Sequence, residues 1–437
     1  MRNQITVYCL LLSAVLAQAK LADHFPMIGN ERHVVKDQLS GKDIIFLTDA
    51  KYMNSTQYPH NKAFIEDDKY VIFESSRLRP DGSGTAGTFP AYQNGERQLL
   101  AADIESGDIY HLASLEFEDT AKYGQYHVHT SSQYHSDYAP ATNTVVYYDM
   151  TGHNLYMLNL NTGLRKQIWH TDYGTLGDPP SITEDGTRLI VYVVHSGVEN
   201  PDFFANRITS VYYFDIDAVT NEVSKPKLIT VWVHRKVELD AVNTSGIYLA
   251  HPLVNPANRD EFSFCHGFNG YSNGTIDCAR IWYGKVDGSL IQMANPTPEG
   301  HIFTHELWGP QGRLIYYVDI VTTGGISSVD PRTGEVVKLI EGTKPRCLHI
   351  SVSGDEKRIV FDTQDYTPEN PLDQYKNHLE NIVLFDVPAK QTTILARQTE
   401  GQGHPRQMHP IINRKGNKVC FTVTDGPTSK VAVIKID

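Results

Sequence analysis

One phrase recurs seven times along this chain: a short extended segment, a turn rich in Gly, Asp, Asn and Pro, then a strongly β-forming strand. The copies are YPHNKAFIEDDKYVIFES (58–75), YHSDYAPATNTVVYYDM (134–150), PPSITEDGTRLIVYVV (179–194) and AHPLVNPANRDEFSFC (250–265). THELWGPQGRLIYYV (304–318), LHISVSGDEKRIVFDT (348–363) and MHPIINRKGNKVCFTV (408–423) complete the set. A repeat of this length governs every other inference, because one unit cannot bury its apolar face alone. Most copies are followed by a third strand, such as VYYFDIDAVTN or IVLFDVPAK, and then by a fourth, such as VVKLIE. Four strands per unit, repeated radially, describe propeller blades. The expected fold is therefore all-β, a seven-bladed β-propeller in a single domain. The last copy has only three strands, and HVVKDQLSGKDIIFL (33–47) is predicted to supply its outer strand and close the ring.

Residues 1–19 combine a basic start, an apolar run and an Ala17-Gln18-Ala19 ending. This pattern predicts a signal peptide cleaved near Ala19, with the propeller over 20–437 and a secreted or periplasmic destination. No later segment is apolar for long enough to span a bilayer, so no membrane partner is expected. The net charge of −12 argues against nucleic acid as a partner. An acidic substrate would have to be met by local cations. A monomer is expected.

The repeat also sorts side chains by position. The lead-in to a first strand and the hairpin between strands two and three open on the same face of a propeller. The lead-ins supply His60, His127, His129, His135, Tyr248, His251, His305, His349, His404, Gln407 and His409. The second-strand ends and hairpins supply Arg77, Arg79, His153, Tyr192, His195, Arg207, His266 and Arg280. Six of the seven copies carry His in or beside one slot, which points to a functional rim rather than scattered structural histidines. Within it, His305, His404, Gln407 and His409 combine imidazoles with an amide oxygen, a donor set that suits zinc, manganese or nickel better than calcium. A second grouping, His266 with Cys265 and Cys278, could hold structural zinc or be a core thiol beside a hydrogen-bonded imidazole.

The stretch AHPLVNP, FSFCHGF, ARIWYGKVDG and FTHELWGPQGRLIYYV, with Gln407-Met408-His409-Pro410, resembles the oligogalacturonate lyases. These are seven-bladed propellers that cleave 4-linked uronate chains by β-elimination and hold a divalent metal. The resemblance implies a ligand set of His305, His404, Gln407 and His409, with the middle Gln and His exchanged relative to the family's order. It places the base on the His-Pro motif at His251 and the carboxylate-binding arginine on Arg207. The chain is also similar to the secreted propeller-fold ulvan lyases, for which His135 with His153, and Tyr192, Arg207 and Tyr248, would form the site. The signal sequence favours this second group.

The chemistry is common to both. Removing the C5 proton of a uronate requires neutralisation of its carboxylate, a base at C5 and an acid at the leaving oxygen. Arg207 is expected at the carboxylate, His135 or His251 as base, and Tyr192 or Tyr248 as acid. The expected function is a secreted polysaccharide lyase acting on an acidic, ulvan-like polysaccharide. Oligogalacturonate cleavage is the alternative, and a non-catalytic glycan-binding propeller is the second.

Overall fold

The computed structural model describes residues 21–83, 96–116, 135–172, 174–195, 208–233, 235–238, 244–247, 249–266, 279–320, 325–342, 346–364, 380–398 and 407–436. Strands dominate, and the one helix among these residues is Leu21–His24. No helix among them is long and apolar enough to cross a membrane.

Among the described residues seven antiparallel sheets correspond one to each copy of the repeat, and an eighth, two-stranded sheet pairs Arg235–Glu238 with Thr244–Ile247 between blades three and four. Blade four is typical, with strands Leu249–Val254, Glu261–His266, Ile281–Lys285 and Ile291–Asn295 paired in sequence from axis to rim. Its burial follows that order. Phe262 and Phe264 on the second strand are fully buried, whereas Ile291, Gln292 and Met293 on the fourth are half-exposed. Apolar side chains from adjacent sheets fill the spaces between blades. Blades four, five and six share one such layer, containing Ile281, Tyr283, Ile315, Tyr317, Ile350 and Phe361.

The ring closes by combining both ends of the chain. Blade seven takes Ile411–Ile412, Lys418–Asp425 and Thr428–Lys435 from the C-terminal copy, and Asp43–Phe46 pairs outside them (Ile44 with Ile434, Phe46 with Ala432). His33–Lys36 adds a fifth strand, so the segment assigned to closure contributes two strands rather than one. Met27–Asn30 likewise extends blade one. A polar seam reinforces the junction: the Thr56 N–H donates to Thr422 Oγ1 at 3.1 Å, and the Thr56 hydroxyl to the His409 carbonyl at 3.4 Å.

The innermost strands are irregular at one recurring point. The register slips between Ala250 and Leu253, between Thr304 and Leu307, and between Cys347 and Ile350. Each slip is a bulge that sets two residues against one, a single extra residue, and bulges re-aim side chains. In blades four and five the first of the two bulged residues is a histidine with left-handed backbone, φ 49° at His251 and 53° at His305. His409 leads into blade seven with φ 42°. Left-handed non-glycine residues are uncommon, and they cluster where function holds them.

Candidate active site at the propeller axis

These bulges deliver a set of rings to the axis. Tyr58 is the hub: its ring centroid lies 4.6 Å from that of His60, 5.4 Å from His409, 5.7 Å from His349, 6.0 Å from His251 and 6.4 Å from His305. His60 is 5.7 Å from His251, and His349 lies 4.1 Å from His305 and 4.2 Å from His409. One tyrosine and five histidines from blades one, four, five, six and seven therefore meet in one place.

Two features give this group its polarity. Burial, and then the nearby His251, Lys62 and His349, hold His60 well below the ordinary histidine range, so it stays neutral. Beside His251 lies Glu306, wholly buried, whose Oε1 is 3.9 Å from His251 Nδ1. Arg280 Nε donates to Glu306 Oε2 at 3.0 Å. Burial pushes the Glu306 carboxyl up, but Arg280 and His251 more than offset it, and the net direction is down. Glu306 is thus an anion, held by a cation on one side and facing an imidazole on the other.

Buried polar atoms also lack hydrogen bonds among the described residues: both amide atoms of Gln57, Nε2 of His60 and Oε1 of Gln407. Such atoms usually mark a place for water, ion or ligand. The Gln407 oxygen, two residues before His409, suits a divalent cation, and so do the imidazoles of the axial group. No group of three or more His, Cys, Asp or Glu among the described residues already stands as a metal-holding cluster.

A cavity of about 90 Å³ runs along the axis beside His60 and is lined by residues of all seven blades, including Lys62, Asp137, Glu184 and Arg414. Lys62 Nζ pairs with Asp137 at 3.0 Å, and Arg414 pairs with Glu184 across the ring.

Of the residues singled out from sequence, His251, His305, His349, His409 and His60 come together, with Gln407 adjoining. Arg207, Tyr248, His404, Cys278, His127 and His129 lie outside the described residues. His135 and His153 are placed otherwise than expected. His135 is 1% exposed, its Nδ1 bonds to Glu74 Oε2 at 3.0 Å, and Arg97 donates to the same carboxylate at 3.0 Å. His153 bonds through Nδ1 to the Thr171 carbonyl at 2.9 Å. Neither belongs to the group around Tyr58. Tyr192 is also buried, its ring packed so closely on Gly177 that a Cβ there would lie 2.4 Å from Cζ. Arg77 is bound by Glu31, Arg79 by Glu96, and His195 by Ser210. His266 sits between Trp232 and Trp282, with centroids at 4.5 and 5.3 Å, and Cys265 beside it is buried.

Sequence inspection missed Tyr58 and Glu306. The signal for Tyr58 was its place two residues before His60 in the first copy. For Glu306 it was a carboxylate inside the first strand FTHELW, beside Leu307 and Trp308.

Comparison with known proteins adds the chemistry. A family model described as oligogalacturonate lyase matches residues 93–402. An oligogalacturonide lyase of Pectobacterium atrosepticum is 22% identical over 412 residues, covering 89% of this chain and 92% of that protein. An oligogalacturonate lyase of Dickeya dadantii is 24% identical over 406 residues, with the same coverage of each. Among solved structures, an oligogalacturonate lyase in complex with manganese superposes with a TM-score of 0.68 at 18% identity, covering 94% of this chain and 98% of that one. The Vibrio parahaemolyticus oligogalacturonate lyase gives 0.70 at the same identity and coverage. The expectation of an ulvan-like substrate is overturned by these matches, which carry the name of the alternative.

Proposed function

The chain belongs to the oligogalacturonate lyase family, and on that premise we propose that it cleaves 4-linked galacturonate oligomers by β-elimination. The new non-reducing end carries a C4–C5 double bond. The observation that carries this assignment is His251, 21% exposed on a left-handed bulge and backed by the buried Glu306–Arg280 pair. Membership in a lyase family sets aside the non-catalytic alternative.

In the mechanism His251 takes the C5 proton. Glu306 then faces the imidazolium that forms, much as a buried carboxylate steadies the histidine of a catalytic triad. In galacturonate the C5 hydrogen and the C4 oxygen lie on opposite faces of the sugar ring. One side chain cannot serve both, so the acid is a second group. Tyr58 is assigned that role: it is half-exposed at the hub of the site, while Tyr192 is buried in the core. Neutral His60, beside both Tyr58 and His251, adds no competing positive charge. Arg207 is assigned to the substrate carboxylate.

His305, His409 and Gln407, with His404, would hold a divalent ion, manganese or zinc. When bound, it supplies positive charge that makes the C5 proton more acidic. The leader over residues 1–19 supports export of the chain.

Replacing the base tests the assignment. His251→Asn is expected to lower kcat on trigalacturonate by about 10²- to 10⁴-fold, the usual worth of a general base, with the melting curve unchanged. Wild-type turnover in that variant would remove His251 from the mechanism.

A further inference from the structure

His349 takes no part in this elimination, yet it occupies the middle of the axial group. It lies between the two implied ligands, with ring centroids 4.1 Å from His305 and 4.2 Å from His409. It is 1% exposed, and its surroundings fix it closely. Nδ1 bonds to Asp362 Oδ2 at 3.0 Å and the His349 backbone N–H donates to Asp362 Oδ1 at 2.6 Å. Asp362 stands on the neighbouring second strand, Arg358–Gln364, and is itself buried.

A carboxylate that accepts the Nδ1 proton leaves the imidazole lone pair on Nε2 and makes that nitrogen a stronger donor. Metal-binding histidines are commonly held in this way, through a carboxylate or a backbone carbonyl. His305 has the second arrangement: its Nδ1 bonds to the carbonyl of Leu348, the residue before His349. Two touching imidazoles are therefore oriented by the two devices that orient ligands.

The bulges explain why the histidine of blade six differs from those of blades four and five. There the two bulged residues are His251-Pro252 and His305-Glu306, with histidine first. In blade six the pair is Leu348-His349, with histidine second. The one-residue offset carries its ring into the space between its neighbours. It also lets the Leu348 carbonyl reach His305.

We propose that His349, oriented by Asp362, is a ligand of the divalent metal in this chain, joining His305, His409 and the Gln407 oxygen. This rests on the metal assignment of the proposed function and extends its ligand set. It accounts for two features that the exchanged His404 and Gln407 leave unexplained: a third imidazole between two implied ligands, and a buried amide oxygen without a hydrogen bond. Binding would draw the three rings inward from their present contact.

The test uses the full-length protein stripped with chelator and titrated with Mn²⁺, with binding followed by calorimetry and metal content by mass spectrometry. Asp362→Asn is expected to weaken binding about 10- to 100-fold, the usual effect of removing a partner that orients a ligand. His349→Gln should weaken it further. Both metal-free variants should melt within a few degrees of the metal-free wild type. Pulsed electron paramagnetic resonance of the Mn²⁺-loaded proteins should count one fewer coordinated imidazole nitrogen in His349→Gln, a readout that a merely structural histidine would not move. Should His349→Gln fail to fold, Asp362→Asn supplies the affinity measurement alone. Wild-type affinity and an unchanged nitrogen count in the variants would overturn the role of His349 while leaving the family's site intact. A wild type that takes up no Mn²⁺ would overturn both.

Discussion

Glu306 provides a quantitative test of the proposed base, because its position allows an electrostatic magnitude to be worked. Its Oε1 is 3.9 Å from His251 Nδ1. Two unit charges at that separation interact by about 4 kcal/mol at an effective dielectric near 20. This is the scale on which the carboxylate stabilises the imidazolium created by proton abstraction. Arg280 donates to the same carboxylate from 3.0 Å and offsets part of its field, so about 2–4 kcal/mol is expected. In Glu306→Gln the cation remains while its partner is gone, and kcat on trigalacturonate should fall about 30- to 1000-fold. KM should change little, since Glu306 is fully buried and acts through His251. Glu306→Asp should recover part of the loss. The substitution also breaks the buried Glu306–Arg280 pair, at a cost of about 3–5 kcal/mol in stability. Turnover must therefore be scaled to the folded fraction measured by circular dichroism. Product is followed by the ultraviolet absorbance of the C4–C5 double bond. A folded Glu306→Gln with kcat within threefold of wild type, or a loss confined to KM, would refute the argument.

Tyr58→Phe should lower kcat about 10²-fold or more if the phenol protonates the leaving oxygen, and the loss should shrink on a substrate whose leaving group needs no proton; an equal loss on both would argue against the acid role. The His135–Glu74–Arg97 trio predicts a stability effect instead. Burial raises the Glu74 carboxyl, but His135 and Arg97 more than offset this and leave it lowered. A lowered carboxyl stabilises the fold above its unfolded value of about 4.3, and that contribution is lost as pH falls through the folded value. Glu74→Gln should therefore cost about 3–5 kcal/mol in urea unfolding at pH 7, with the gap to wild type closing as the pH is lowered below about 4, while kcat per folded molecule holds; a gap that persists unchanged would contradict the ionised trio.

The propeller was legible because each blade carries its own complete phrase, and because its turns need Gly, Asp and Asn wherever the chain reverses. The slot that gathers His251, His305 and His409 was legible for the same reason. What the repeat could not show is the bulge within each first strand. A strict two-residue alternation would leave Glu306 on the opposite side of its strand from His305. The inserted residue instead lets it meet Arg280 while His305 faces the axis. The same slot misled at His135, whose lead-in position matches the others. There the neighbouring blade presents Glu74, which takes both its backbone N–H and its ring nitrogen. A glutamate inside the buried strand YVIFES already required such a partner, since a lone buried charge is costly. Tyr58 became visible only once the ring closed and placed blade one beside blades four to seven. The preference for ulvan over oligogalacturonate rests on the leader expected from the sequence of residues 1–19, and such a segment speaks to where a chain is sent and not to which sugar its site accepts.

The central claim is that the histidine axis eliminates across a galacturonate linkage. The direct measurement is ultraviolet absorbance during incubation of the purified protein, supplied with Mn²⁺, with trigalacturonate, polygalacturonate and ulvan in parallel. A rise with trigalacturonate that ulvan does not match, and that His251→Asn abolishes, is the predicted result. No rise with either galacturonate substrate, or a rise that His251→Asn leaves intact, would contradict it.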